Sequence, residues 1–209
     1  MSCGNNNGGT SSGGNEPSTE HVYTPSEIFA EVNKSTVFVL LETLTGYSSG
    51  TGFFIDDNGT FATNYHVIED AVEGLISDYN GNSYAIDCVK GYNEAMDIAI
   101  CSSSATNTHS ARLGNSDTVA VGDNVFAIGY PQAFSLGASS STFTSGMVSM
   151  YRSIDGYSYI QATVDITNGN SGGPLINNKA EVIGITSGGI KFNDIDYMNL
   201  SIPINVIIR

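Results

Sequence analysis

The sequence predicts an all-β protein built as two β-barrels, on three observations. Short runs rich in Val, Ile, Phe, Tyr and Thr recur along the 209 residues, separated by Gly, Asn and Asp. No amphipathic stretch of about a dozen residues interrupts them, which argues against alternating α/β architecture and for closed or sandwiched sheets. A Ser/Thr-rich stretch over residues 102–110 divides the runs into two halves and reads as the connection between barrels.

Taken in order, residues 1–23 read as a flexible tether. Thirteen of the first 16 residues are Gly, Asn, Ser or Thr, and such a segment cannot bury enough apolar surface to offset its ordering entropy. Cys3, followed by Gly4 and an Asn/Gly/Ser run, resembles the mature start of a bacterial lipoprotein, which implies lipid attachment at Cys3. The alternative is a free terminal thiol. Thr24-Pro25-Ser26-Glu27 has the form of a capping box with Pro at the first helical position, so a short helix is expected through Ile28, Phe29 and Val32. Strands are expected at 36–44, 52–55, 61–63, 84–89 and 98–101 in a first half spanning 24–110. In a second half spanning 111–209 they are expected at 124–128, 143–151, 157–164, 174–176, 181–186 and 197–202. Asp57-Asn58-Gly59 and Tyr79-Asn80-Gly81 are hairpin turn signals.

Charge narrows the partners. Seven Lys and Arg against 21 Asp and Glu give a net charge of −14. So few cations make neither a phosphate-tracking surface for nucleic acid nor a patch for an anionic membrane. No apolar run approaches the roughly 18 residues of a spanning helix, so membrane contact is expected only through a lipid on Cys3. No metal-binding spacing of Cys or His and no calcium loop is present, so no metal or other cofactor is implied.

The most informative stretch is Gly169-Asn170-Ser171-Gly172-Gly173-Pro174. A Ser among glycines sits on a tight turn that exposes its hydroxyl and aims amide N–H groups at a developing oxyanion. The string also fits the nucleophile elbow of α/β-hydrolases, but that fold needs its His after the Ser. His21, His66 and His109 all precede Ser171. His21 lies in the tether and His109 in the connector, leaving His66, at the end of the 61–63 strand, as the candidate base. Asp97, at the start of Ile98-Ala99-Ile100, is the candidate to orient it. Each residue alone has an ordinary structural reading; the order His66, Asp97, Ser171 is what joins them.

These segments together resemble a trypsin-fold serine protease, and within that group the HtrA/Deg proteases. The resemblance runs from about Ser48 to Asn205. It is carried by Ser49-Gly50-Thr51-Gly52-Phe53, Thr63-Asn64-Tyr65-His66-Val67, Asp97-Ile98-Ala99-Ile100, Gly114-Asn115-Ser116, Val121-Gly122-Asp123 through Gly129-Tyr130-Pro131, the Ser171 motif and Ser201-Ile202-Pro203-Ile204-Asn205. It implies two six-stranded antiparallel barrels with an active site in the cleft between them. It also implies His66 as general base, Asp97 as orienter, Ser171 as nucleophile, and oxyanion-hole amides from Gly169, Asn170 and Ser171. Many members carry a PDZ domain after the protease domain; ending at Arg209, this chain reads either as a protease-only member or as the cut part of a longer protein. Members also commonly form homotrimers, so a homo-oligomer is a possible assembly.

The implied substrate is unfolded or exposed polypeptide, bound as an added strand along Ile185-Thr186-Ser187. Asp165, six residues before Ser171, is expected at the wall of the pocket for the residue before the cut. Buried there, it would favour a basic side chain; turned away, it leaves the small aliphatic preference of the family, which is the expectation adopted. Cys88 and Cys101 are expected as two buried thiols on consecutive strands. The leading reading is an extracytoplasmic serine endopeptidase acting through an acyl-enzyme. The competing reading is a catalytically silent, peptide-binding β-barrel module on a surface lipoprotein.

Overall fold

The computed structural model describes residues 22–131, 140–167, 169–188, 191–192, 195–196 and 199–208. Cys3, His21 and almost all of the expected tether lie outside them.

The capping box forms as the sequence predicts. The Thr24 side chain accepts from the Glu27 amide, Glu27 reaches back to the Thr24 amide, and Pro25 opens helix α1 (Pro25–Val32). Six strands follow as a closed barrel: β1 (Thr36–Thr43), β2 (Gly46–Phe54), β3 (Thr60–Thr63), β4 (Ala71–Ser77), β5 (Ser83–Asn93) and β6 (Ile98–Ser103), in the spatial order β1-β2-β3-β6-β5-β4. A one-turn helix, α2 (Tyr65–Ile68), sits between β3 and β4. The second barrel contains β7 (Asn124–Gly129), β8 (Thr142–Ile154), β9 (Tyr157–Ala162), β10 (Pro174–Ile176) and β11 (Val182–Ser187). A small hairpin, β12 (Lys191–Phe192) with β13 (Ile195–Asp196), stands outside it, and β14 (Leu200–Pro203) completes it in the order β10-β11-β14-β9-β8-β7. A terminal turn, α3 (Asn205–Ile208), follows. The sheets are antiparallel throughout, and both hairpin signals fall on turns, with Gly59 and Gly81 at φ +79° and +84°.

Three local differences from the sequence reading have physical causes. β4 is not among the expected strands, because Ala71-Val72-Glu73-Gly74 is exposed or nearly so and lacks alternation. It forms because β1 offers a partner from Phe38 opposite Ser77 to Thr43 opposite Ala71. β2 starts at Gly46, well before Gly52, because β1 pairs with it without interruption from Phe53 back to Gly46. Neither segment carries enough apolar pattern of its own to announce a strand. β5, for the same reason, runs past Val89 to Asn93 along β6.

The core is shared. Each barrel fills its own interior, one around Val37, Val39, Phe61 and Ile76, the other around Val125, Ile160, Leu175 and Ile183. A third cluster spans both, joining Phe53, Ala62 and Ile98 of the first barrel to Phe126, Ile128, Ile176 and Ile202 of the second. Ile28 and Val32 of α1 lie in this shared cluster, Phe29 packs edge-on against Phe143, and the Tyr23 amide donates to the Asn178 carbonyl. The helix assigned by sequence to the first half is therefore a strap across both.

Candidate active site

β3 and α2 place His66, and the turn from β5 to β6 places Asp97. The link begins in the buried Asn64, whose side-chain amide donates to the Asp97 carbonyl at 2.8 Å. The His66 backbone N–H then donates to Asp97 Oδ1 at 2.9 Å, and His66 Nδ1 lies 2.8 Å from Oδ2 and 3.0 Å from Oδ1. An ionised carboxylate only accepts, so Nδ1 carries the proton of the neutral ring and Nε2 is left as an acceptor. Asp97 reaches this position from a left-handed backbone conformation, φ 59°, which Asp tolerates better than most residues. The Ser187 hydroxyl donates to Asp97 Oδ2 at 2.9 Å from the end of β11.

The Ser171 loop belongs to the second barrel and is clamped by the first. Thr51 of β2 donates its N–H to the Ser171 carbonyl at 2.8 Å and its hydroxyl to the Gly169 carbonyl at 2.6 Å. The same hydroxyl accepts from the Tyr130 amide, and the Thr51 carbonyl accepts from the Thr63 hydroxyl. Gly169 (φ +100°) and Gly172 (φ +87°) supply the two left-handed positions of the turn. A Cβ on Gly172 would collide with the Thr51 carbonyl and the Thr63 hydroxyl, so only Gly fits there. The Asn170 amide is engaged by the Thr167 carbonyl at 3.0 Å, whereas among the described residues no acceptor takes the amides of Gly169 or Ser171. Of the three residues expected to supply oxyanion amides, Asn170 is thereby removed. The Ser171 hydroxyl accepts from the Gly188 amide at 3.4 Å, and no hydrogen bond joins it to His66. Since Ser187 and Gly188 are consecutive, one dipeptide touches both Asp97 and Ser171.

Comparison with known proteins decides the family. The profile described as "Trypsin-like peptidase domain" matches residues 50–185. The chain belongs to that family. Within it the chain is HtrA/Deg-like. It is 42% identical over 165 residues to a probable periplasmic serine endoprotease, DegP-like, of Halomonas elongata, covering 76% of this chain and 33% of the relative. It is 36% identical over 143 residues to the protein of that name from Chlamydia muridarum, covering 66% and 28%. The chain thus spans about a third of the length of these relatives. A serine endoprotease from Yersinia pestis superposes with a TM-score of 0.75 at 27% identity, over 89% of this chain and 64% of the other. The HtrA-type protease AlgW, solved with a tripeptide, shares the fold, with a TM-score of 0.78 at 23% identity over 89% and 62%.

In this HtrA/Deg-like domain the residues expected to contact substrate are placed unevenly. Asp165 is exposed, so the alternative of a buried carboxylate is corrected; its carbonyl accepts from Thr144 and, at 3.4 Å, from the Asn170 side chain. Ile185 and Thr186 are fully buried. Ile185 pairs with Pro174 on one side and Ile202 on the other. The Thr186 amide and carbonyl are engaged by Gly173 and Gly172, and its hydroxyl donates to the Asn170 carbonyl. Ser187 is equally buried and pairs with Leu200, so an added strand finds exposed backbone at this end of β11 only from Gly188, and the expectation for Ile185 and Thr186 is corrected to a structural role. Gly188 stands between Ile166 and Ser171, with a notional Cβ 3.5 Å from Ile166 Cγ2 and from Ser171 Oγ. The sequence names Thr51 only as part of the Ser49–Phe53 motif and Gly188 only as an uncrowded entrance; their bonds to the Ser171 loop depend on partners more than a hundred residues away or on backbone atoms alone.

The cysteines depart from expectation. Both are free thiols, but Cys88 is exposed and only Cys101 is buried. The bulges flanking Cys88 set it opposite Ser102, its Sγ 3.1 Å from the Ser102 hydroxyl, whereas Cys101 faces the core. His109 sits 3.1 Å from Glu31 of α1, away from the cleft.

Proposed function

We propose that this domain is a serine endopeptidase that cuts unfolded or exposed polypeptide through an acyl-enzyme, with His66, Asp97 and Ser171 as the triad. The observation that carries it is the joint at Ser187 and Gly188, where successive residues hold the Asp97 carboxylate and the Ser171 hydroxyl. The acyl side of the substrate lies as an added strand beside Gly188, and the leaving side passes over β2. Ser171 Oγ swings from Gly188 to His66 Nε2, loses its proton there, and bonds to the substrate carbonyl carbon. Apo hydrogen bonds of this kind are often long and tighten only with substrate. The oxyanion meets the amides of Gly169 and Ser171. His66 then gives the proton to the leaving amine as the C–N bond breaks, and water, activated by His66, releases the acyl group.

The DegP-like relatives are named periplasmic, which supports an extracytoplasmic place for this chain too. Cys3-Gly4 and the run behind it support lipid attachment at Cys3. Reaction of the intact protein with a fluorophosphonate probe, with the adduct mapped to Ser171, tests the assignment, together with casein hydrolysis beside a Ser171→Ala control. The silent peptide-binding module stays as the second reading because the Ser171 hydroxyl bonds to Gly188 and not to His66. Peptide binding without probe labelling would select it.

A further inference from the structure

A pair of stacked tyrosines stands beside His66 and takes no part in the reaction described above. Tyr65 immediately precedes His66, and Tyr92 lies near the end of β5. Their ring centroids are 5.0 Å apart with the planes at 20°. Tyr92 is 64% exposed, so the outer ring of the stack is open to solvent. Three exposed carboxylates lie around it: Glu94, two residues past Tyr92, and Glu69 and Asp70, which follow α2. Desolvation, followed by the fields of Glu94, Tyr92, Glu69 and Asp70, holds the Tyr65 phenol above its ordinary value. Several of the protein's cations are engaged elsewhere: Lys34 by Glu31, Lys90 by Thr60, Arg112 by Glu181 and Arg152 by Gln161.

The stack also has a defined place along a bound chain. Because the Ser187 hydroxyl holds Asp97, the turn from β5 to β6 abuts the end of β11. A polypeptide laid beside the exposed Gly188 passes this wall with the residues on its acyl side. We propose that the Tyr65–Tyr92 stack is a specificity site for a lysine or arginine side chain of the substrate, on the N-terminal side of the bond cut. The proposal rests on the endopeptidase reading and deepens it by naming a substrate class. A cation over an open tyrosine face gains about two- to five-fold in affinity at an exposed site. The carboxylates add an attraction that salt screens.

The test is a panel of fluorogenic peptides with a constant small aliphatic residue before the cut and Lys, Gln or Glu placed in turn at each of the three preceding positions. At one position, kcat/KM for Lys should exceed Gln about five-fold or more at low salt, with Glu below Gln, and the ratio should shrink in high salt. Tyr92→Ala and Glu94→Gln should bring the Lys-to-Gln ratio toward one, whatever they do to the absolute rate. Tyr92→Phe, which keeps the ring, should restore it. The same peptides are titrated onto Ser171→Ala protein by fluorescence anisotropy, which reads the ratio without turnover. Equal values for Lys and Gln at all three positions in both arms overturn the proposal. So does a Lys preference that survives Tyr92→Ala and Glu94→Gln, since that assigns it to the overall charge of −14. Absence of probe labelling and turnover overturns the endopeptidase reading alone, and the binding arm still decides this one.

Discussion

Ser187 holds Asp97 by a 2.9 Å hydrogen bond to Oδ2, the oxygen that also lies nearest His66 Nδ1. The carboxylate is thus fixed from the second barrel while its own residue belongs to the first. Ser187→Ala removes a charge-assisted bond without removing a proposed triad member. Such bonds contribute about 1.5–3 kcal/mol to stability, so the melting temperature should drop by about 3–12 °C, and kcat should fall as the carboxylate loses its fixed orientation. An unaltered kcat would mean that Ser187 acts only as strand backbone.

Ser171→Ala should leave the fold intact and reduce peptide hydrolysis to the residue left by binding and the oxyanion amides, orders of magnitude down. His66→Ala should fall to the same level, and the double variant no further, because the two act as a unit. Steady-state rates of the three purified proteins check this. Additive losses would separate the residues.

Gly172→Ala is expected to cost stability, about 3 kcal/mol or more, since the new methyl meets the Thr51 carbonyl and the Thr63 hydroxyl at a positive φ. Denaturant unfolding measures it. A midpoint close to that of the parent would show that the turn relaxes freely.

Alkaline stability follows from two buried acids. Burial pushes the Cys101 thiol from 9.0 up to about 12, and desolvation, with a smaller push from Asp78, moves the Tyr130 phenol from 10.0 up to about 12. Below pH 9 both are protonated in folded and unfolded chains alike. Above it the unfolded chain ionises first and the folded chain keeps its protons, so stability declines with rising pH until about 12. Tyr130→Phe should flatten the part of the slope that begins near pH 10. Chemical denaturation at stepped pH reads the slope, and an identical slope in the variant would contradict the assignment.

Much of this was legible before any coordinates. The order His66, Asp97, Ser171 could be read because the other two histidines fall in polar, unpatterned sequence. The α1 start could be read because its capping chemistry is local. What could not be read depends on distant pairing. β4 has no apolar alternation and exists because β1 and β5 flank it. Thr51 looks like any strand threonine until the Ser171 loop arrives from the far half of the chain. Ile185 and Thr186 were read as an open edge, although β10 and β14 cover both sides. Asp165 was placed by counting back from Ser171, and counting fixes a position without fixing which way the carboxylate turns.

Thr51 grips the carbonyls on both sides of Asn170 from the opposite barrel, and this makes the proposed nucleophile a gauge of how the two barrels are seated. Any shift of β2 against the second barrel is passed directly to the backbone on either side of Asn170.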